Sequence, residues 1–176
     1  IDDRNREITA DKISYNKIPN IINAEGNVKI EDRNEDYTIY SETINFFRDE
    51  ERIITNGKTD AEIDSKYTIK SNDVIYELKT RELSSKSKSS IMDDNNQIYY
   101  LDEFIYYLRN NLLKGKEIIT ITNYNLPKSD KFYFSQGIFN LENKEFVAKD
   151  TKIHIHNDVF GIEKNDPRIY GASSKG

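Results

Sequence analysis

The chain has no cysteine and no tryptophan, and only one methionine, two histidines and three prolines among 176 residues. Without cysteine, neither a disulfide nor a thiolate metal site can form here. There is no apolar run of 18 residues, so no transmembrane helix is encoded. Basic charge is not in excess. The net charge is -5, and nucleic acid is not expected as a partner, because phosphate backbones select a basic footprint. Nucleophile elbow, P-loop and Gly-rich dinucleotide turn are all missing, so no catalytic residue stands out and no cofactor is called for. Carboxylates are plentiful, but one sequence cannot pair them in space, which leaves glycosidase chemistry open on that ground. The chain opens at Ile1 with no charged leader or apolar core, and is expected to be a piece of a longer protein.

What is present is a lean core enriched in rings, with 12 Tyr and 8 Phe against 32% charged residues. These are arranged in a repeat. Ala10-Asp11-Lys12-Ile13-Ser14-Tyr15 aligns with Ser41-Glu42-Thr43-Ile44-Asn45-Phe46 and with Ser71-Asn72-Asp73-Val74-Ile75-Tyr76. Each reads small, polar, polar, aliphatic, any, aromatic. Tyr37-Thr38-Ile39 and Tyr67-Thr68-Ile69 precede the second and third copies, and Phe132-Tyr133-Phe134 opens a weaker fourth. Within each copy the period is two, rich in Ile, Tyr, Thr and Val, which predicts half-buried strands. Turns are expected at Lys17–Asn20, Arg33–Asp36, Arg48–Glu51, Gly26-Asn27, Asn56-Gly57 and Asp93–Asn96. Repeats of this length favour stacking, each unit burying its face on the next.

The alternation points one set of side chains inward: Ile13, Tyr15, Val28, Ile30, Tyr37, Ile39, Ile44, Phe46, Ile63, Tyr67, Ile69, Val74, Tyr76, Phe104, Tyr106, Phe132 and Phe134. Lys29 points outward. Such a set either closes as a dry core or stands apart as a groove for an apolar ligand. A groove gains about 0.8 kcal/mol per buried CH₂ of a lipid. Between Ile98 and Leu113, Leu101, Phe104, Ile105, Leu108 and Leu112 also fit a helix, yet Tyr99-Tyr100 and Tyr106-Tyr107 favour strands.

Weaker constellations read more simply. His154 and His156 share one face, but only Asp158 offers a third metal ligand, so solvent-facing histidines are expected rather than zinc. Asp93–Asn96 lacks the EF-hand spacing and reads as a hairpin loop. Lys79, Arg81, Lys86 and Lys88 around a Ser-rich run read as a solvated rim, with contact to lipid phosphate as the sharper alternative.

The Ala24-Glu25-Gly26-Asn27-Val28 corner, the Tyr-x-Ile and aliphatic-x-aromatic strands, the Leu112–Gly115 corner and the Phe146–Asp150 strand resemble the OstA (organic solvent tolerance) family of lipopolysaccharide-transport periplasmic domains. The tail from Asn165 to Ser174 resembles the junction before an outer-membrane barrel in the barrel-bearing members. The resemblance implies an all-β fold, a β-jellyroll opened into a taco of stacked antiparallel strands with an apolar interior groove, and no enzymatic activity. It implies a lipid groove built from Ile13, Tyr15, Val28, Ile30, Ile39, Ile44, Phe46, Ile69, Val74, Tyr76, Phe104, Tyr106, Phe132 and Phe134. Residues 1–164 are then the domain, and 165–176 a linker towards a barrel. Lipopolysaccharide, through lipid A, is the implied ligand. The bridge protein LptA is the implied partner by strand pairing, at an edge strand carrying Ile8, Ala10, Ile13 and Tyr15. Arg4, Arg6, Glu7, Asp11 and Lys12 would guard that edge against uncontrolled pairing. The lipoprotein LptE would join through the barrel, at the periplasmic face of the outer membrane of a Gram-negative cell. A bridge protein of the same fold and a structural or carbohydrate-binding solenoid with a dry core are the competing readings.

Overall fold

The computed structural model describes residues 2, 3, 6–156, 159 and 167–176. Expectations placed on Arg4, Asp158 and Asn165-Asp166 lie outside the described residues. The strands run in chain order as β1 (Asp2–Asp3), β2 (Arg6–Thr9), β3 (Lys12–Asn16), β4 (Ile21–Asp32), β5 (Tyr37–Phe47), β6 (Arg52–Ile63), β7 (Tyr67–Asn72), β8 (Ile75–Glu77) and β9 (Glu82–Ser85). They continue as β10 (Ser89–Met92), β11 (Ile98–Leu101), β12 (Glu103–Tyr107), β13 (Leu112–Ile121), β14 (Lys131–Asn140), β15 (Phe146–His154) and β16 (Arg168–Lys175). All described pairings are antiparallel. Ile98–Leu113 is strand, interrupted by a bend at Asp102 and by a 3-10 turn over Leu108–Asn110 that ends on left-handed Asn111.

One continuous sheet is folded over into two leaves. The long strands cross from leaf to leaf, and they bend where the backbone takes positive φ: Gly26 and Asn27 in β4, Gly57 in β6, Glu117 in β13 and Asp150 in β15. Register slips at the same places, between Glu25 and Val28 and between Ser41 and Thr43. Gly26-Asn27 and Asn56-Gly57, expected as turns between strands, are therefore corners inside strands. An added residue in positive φ bends and twists a strand without ending it. Likewise β13 bends at Glu117 rather than at the Leu112–Gly115 segment. The edge expected as one strand from Ile8 to Tyr15 is split for the same reason. β2 pairs with 29–32 of β4 and β3 with 21–25, so the chain must follow the corner, where Asp11 N–H donates to Gly26 O at 2.9 Å.

Inside the fold two rows of side chains face each other. On the first leaf, registered pairs give Ile8, Ile30, Ile39, Ala61, Ile69, Ile91, Tyr99, Thr120, Phe132, Ile153 and Ile169. On the second they give Tyr15, Ile22, Phe46, Ile53, Tyr76, Leu83, Tyr106, Leu113, Phe139 and Phe146. Burying each such aliphatic stabilises the fold by about 1.5–3 kcal/mol. Along the fold line the inward residues turn polar. Ser41 bonds Thr59 at 3.2 Å, Thr59 bonds Thr55 at 2.7 Å, and Ser71 bonds Ser89 at 2.7 Å. Ser85 Oγ donates to the Asn72 carbonyl at 2.7 Å. Bending interrupts the ladder, and these hydroxyls answer backbone groups the bend leaves over.

The tail departs from its expected role. Arg168–Lys175 is not a linker but the strand β16, registered on β15 from His154↔Arg168 to Val147↔Lys175. Its short, mixed-polarity residues hide the alternation, because its face is exposed at the end of the stack, with Ile169 51% and Tyr170 65% accessible.

Candidate functional site: the apolar seam and its closed mouth

Two leaves joined along one fold line have an open mouth on the other side. Here the mouth is shut. Tyr37 meets Tyr76 edge-on at 5.1 Å between ring centroids, Tyr67 meets Tyr106 at 5.8 Å and Tyr99 meets Phe139 at 5.7 Å. Each pair joins one leaf to the other. Ions reinforce the closure. Arg6 Nε lies 3.1 Å from Asp32 Oδ2 and 3.1 Å from Tyr37 OH, and its guanidinium stands 5.8 Å from the Phe46 ring. Arg81 of the β8–β9 turn pairs with Glu35 of the β4–β5 turn at 3.0 Å. Lys144 pairs with buried Asp93 across the same mouth. Burial pushes the Tyr76 phenol up to about 12 and moves Tyr37, Tyr99 and Tyr106 in the same direction.

Of the residues expected to line a groove, Val28, Ile30, Ile39, Ile44, Phe46, Ile69, Val74, Tyr76, Phe104, Tyr106 and Phe134 are all buried in this interior. Ile13 and Phe132 are half-buried. Tyr15 is 48% exposed. It stands on the inward face, opposite buried Ile22, but β3 pairs only with β4 and no further layer covers it. Its hydroxyl donates to Asn20 Oδ1 at 2.9 Å, and Arg48 lies over its ring at 5.8 Å. The interior is thus a continuous apolar seam filled by its own side chains; alternation left dry core and groove both open, and the groove was what the family resemblance implied. Tyrosines long enough to reach the facing leaf fill the gap.

Of the proposed edge residues, Ile8 is buried and Ala10 is half-buried. β3 on one side of the stack and β16 on the other each pair with a single strand among the described residues. His154 sits on β15 beside Tyr133, 5.2 Å between rings. His156 lies past the strand end, its Nδ1 2.8 Å from Asp130 Oδ1. No group of three metal-ligating side chains occurs among the described residues. Asp93–Asn96 is the turn between β10 and β11, where Asp93 Oδ1 accepts the N–H groups of Asn95 and Gln97, each at 2.9 Å.

Sequence reasoning put Arg81 on a rim but missed the ion pairs that close the mouth. Arg6, Asp32, Glu35, Arg81, Asp93 and Lys144 come from separate turns and edges, and no spacing links them. Only the regular return of charged turns, one per repeat, hinted that turns from the two leaves would meet.

These features define a class: antiparallel jellyrolls of stacked repeats, folded around an apolar seam that leaves Tyr15 exposed at one end and Ile169 at the other. Within it, the chain belongs to the family described as "LptA/(LptD N-terminal domain) LPS transport protein", whose model matches residues 7–125. It is a lipopolysaccharide-transport domain and not an enzyme. Among solved structures it is similar to LptH, the LptA-homologous periplasmic component of the lipopolysaccharide transport device of Pseudomonas aeruginosa. That likeness has 7% identity, covers 94% of this chain and 93% of the other, and has a TM-score of 0.33. No curated protein sequence matches the chain.

Proposed function

We propose that the seam carries the acyl chains of lipopolysaccharide between the two leaves, while the sugar and phosphate head stays in water outside the mouth. The observation that carries this is the pair of inward rows, one running from β2 to β16 and the other from β3 to β15, in a chain of this transport family. A chain entering the seam replaces tyrosine–tyrosine contacts by alkyl–aromatic ones, and each methylene gains about 0.8 kcal/mol on leaving water. Entry requires the mouth to part. The partly exposed Arg81–Glu35 pair costs little to break, on the order of 0–1 kcal/mol, whereas Arg6–Asp32 and Lys144–Asp93 hold buried carboxylates and cost more to part, so opening starts at Arg81–Glu35.

The groove residues are the inward ones named above, with Phe46 and Tyr76 at its centre. The exposed edge of β3, with Tyr15, receives a strand of the bridge protein LptA by β-augmentation. At the far end the lipid passes to the β-barrel of an LptD-type translocon, partnered by LptE, at the periplasmic side of the outer membrane. Photocrosslinking in cells making lipopolysaccharide tests the reading. Crosslinkable residues at Phe46 and Tyr76 are expected to capture lipopolysaccharide, and one at Lys29 is not. Silence at both inward positions, or equal capture at Lys29, overturns it. Ten-residue alternating segments following Gly176 in the full protein would mark the barrel; their absence would favour the bridge-protein reading.

A further inference from the structure

The outer face of the second leaf carries a concavity of about 670 Å³ that the seam does not use. It follows one outward row. Registered pairs place Ile75 beside Ser84, Ser84 beside Ile105, Ile105 beside Lys114, Lys114 beside Ile138, and Ile138 beside Val147. Five strand spacings of about 4.8 Å make the row roughly 24 Å long. The dip has a cause in the sequence. The inward neighbours of this row are small after Phe104: Gly115, Gly137 and Ala148 stand in register across three strands. With no side chain at these positions, Leu101 packs onto Gly115 and Phe139 of the same strand folds over Gly137, where a Cβ would overlap them. The outer surface becomes hollow as the inner one fills.

The row is mostly aliphatic, with Ser84 and Lys114 set into it, and further lysines stand beside it. Ile138 and Val147, neighbours in register, are 46% and 59% accessible, and Ile75 at the other end of the row is 37% accessible; contiguous exposed aliphatics mark an interaction surface. Four lysines and two carboxylates line it. Glu103 is held by Lys116 at 2.6 Å, and Asp73 accepts the Gly57 N–H at 2.8 Å. Lys114 and Lys149 face no carboxylate within ion-pair distance among the described residues. In a chain of net charge -5, a local basic excess over an oily floor selects an occupant that is anionic at one end and alkyl along the rest. Its aliphatic residues lie on one row and the polar residues Glu103, Lys116, Gln136 and Lys149 on the next, which suits one chain, and lysine stems can lie along that chain with the ammonium at its head. Its volume is in the range of pockets that enclose a single small ligand, which sets it apart from a flat protein-docking face.

We propose that this outer trough binds the anion of a single-chain fatty acid, with the carboxylate at the Val147 end against Lys149, the alkyl chain running over Ile138 and Ile105 towards Ile75, and the Lys114 stem alongside it with its ammonium turned to the head. The site lies on the opposite face of the sheet from the seam and does not depend on transport through it. The test is titration of the isotope-labelled chain with laurate below its micelle concentration, followed by NMR and calorimetry. Saturable binding is expected, one per chain, with shifts confined to the outward row and its lysines. Dodecyltrimethylammonium, with the same chain and opposite charge, should bind at least about tenfold more weakly. V147E should abolish laurate binding, and K114E combined with K149E should weaken it about tenfold. Both sets of positions are exposed, so unchanged melting curves show that the fold persists. Equal affinity for the two detergents, shifts centred on Phe46 and Tyr76, absence of saturable binding, or binding only of an acidic amphipathic peptide would each overturn the proposal.

Discussion

Thr120 sits in the first inward row between Tyr99 and Phe132, 3% exposed, and its hydroxyl has no hydrogen-bond partner among the described residues. A buried, unmatched hydroxyl costs about 1–3 kcal/mol. Thr120→Val keeps the shape and removes the polar atom, so a rise in urea midpoint is expected; a fall would show that an unseen partner satisfies the oxygen. Gly57 makes the opposite case. At φ +80 it holds the β6 corner, and Gly57→Ala should cost about 1 kcal/mol or more, read as a lower melting temperature. The tyrosines add a pH window. Their phenols are raised in the fold by burial, Tyr76 to about 12, so the unfolded chain loses protons first. Stability contributed by keeping them neutral is whole below pH about 10 and falls as pH climbs from there towards 12. Denaturant melts from pH 8 to 12, with tyrosinate absorbance, should show both changes together. At this scale the inward residues were legible, because alternation assigns a face. Whether an inward residue is covered was not: Tyr15 and Tyr76 fill the same slot of the repeat, and only the stacking order exposes one and buries the other.

Among elements, the turns of the two leaves meet across the mouth. Arg81–Glu35 is partly exposed, so Arg81→Glu should lower stability by less than about 1 kcal/mol. It should nevertheless speed uptake of an environment-sensitive alkyl dye into the seam, and combining it with Glu35→Arg should restore slow uptake. Unchanged uptake kinetics in the single variant would remove the mouth as the entry route. Strand identities and most turns followed from the sequence, since Ile, Tyr, Thr and Val at period two leave little choice. Gly26 and Gly57 did not declare themselves. A glycine in positive φ ends a strand or bends it, and the difference lies in whether both flanking segments find partners in register. β16 was illegible for a related reason: an end strand with no covering layer need not alternate.

For the whole molecule, the seam ends in strands with one free edge, β3 and β16. Exposed edges pair with one another unless guarded. Concentrated protein should therefore associate end to end, as read by light scattering, and Ile169→Lys should reduce that association without changing the melting curve. A purely monomeric wild type at every concentration would remove the edges as docking strands. The all-β jellyroll was foreseeable from the thirty-residue repeat and its family resemblance. The outer hollow was not, because it arises from three small residues on three strands that only the register brings side by side.

The buried hydroxyl line of Ser41, Thr55, Thr59, Ser71 and Ser89 has a mechanical meaning. It runs along the crease joining the leaves, opposite the edge that must part. A hydroxyl can rotate from one acceptor to the next, so a crease made of them can flex like the spine of a book and still keep its bonds. Thr59→Val would take one stitch from that spine, and the cover should then open less reversibly than its closed shape alone would suggest.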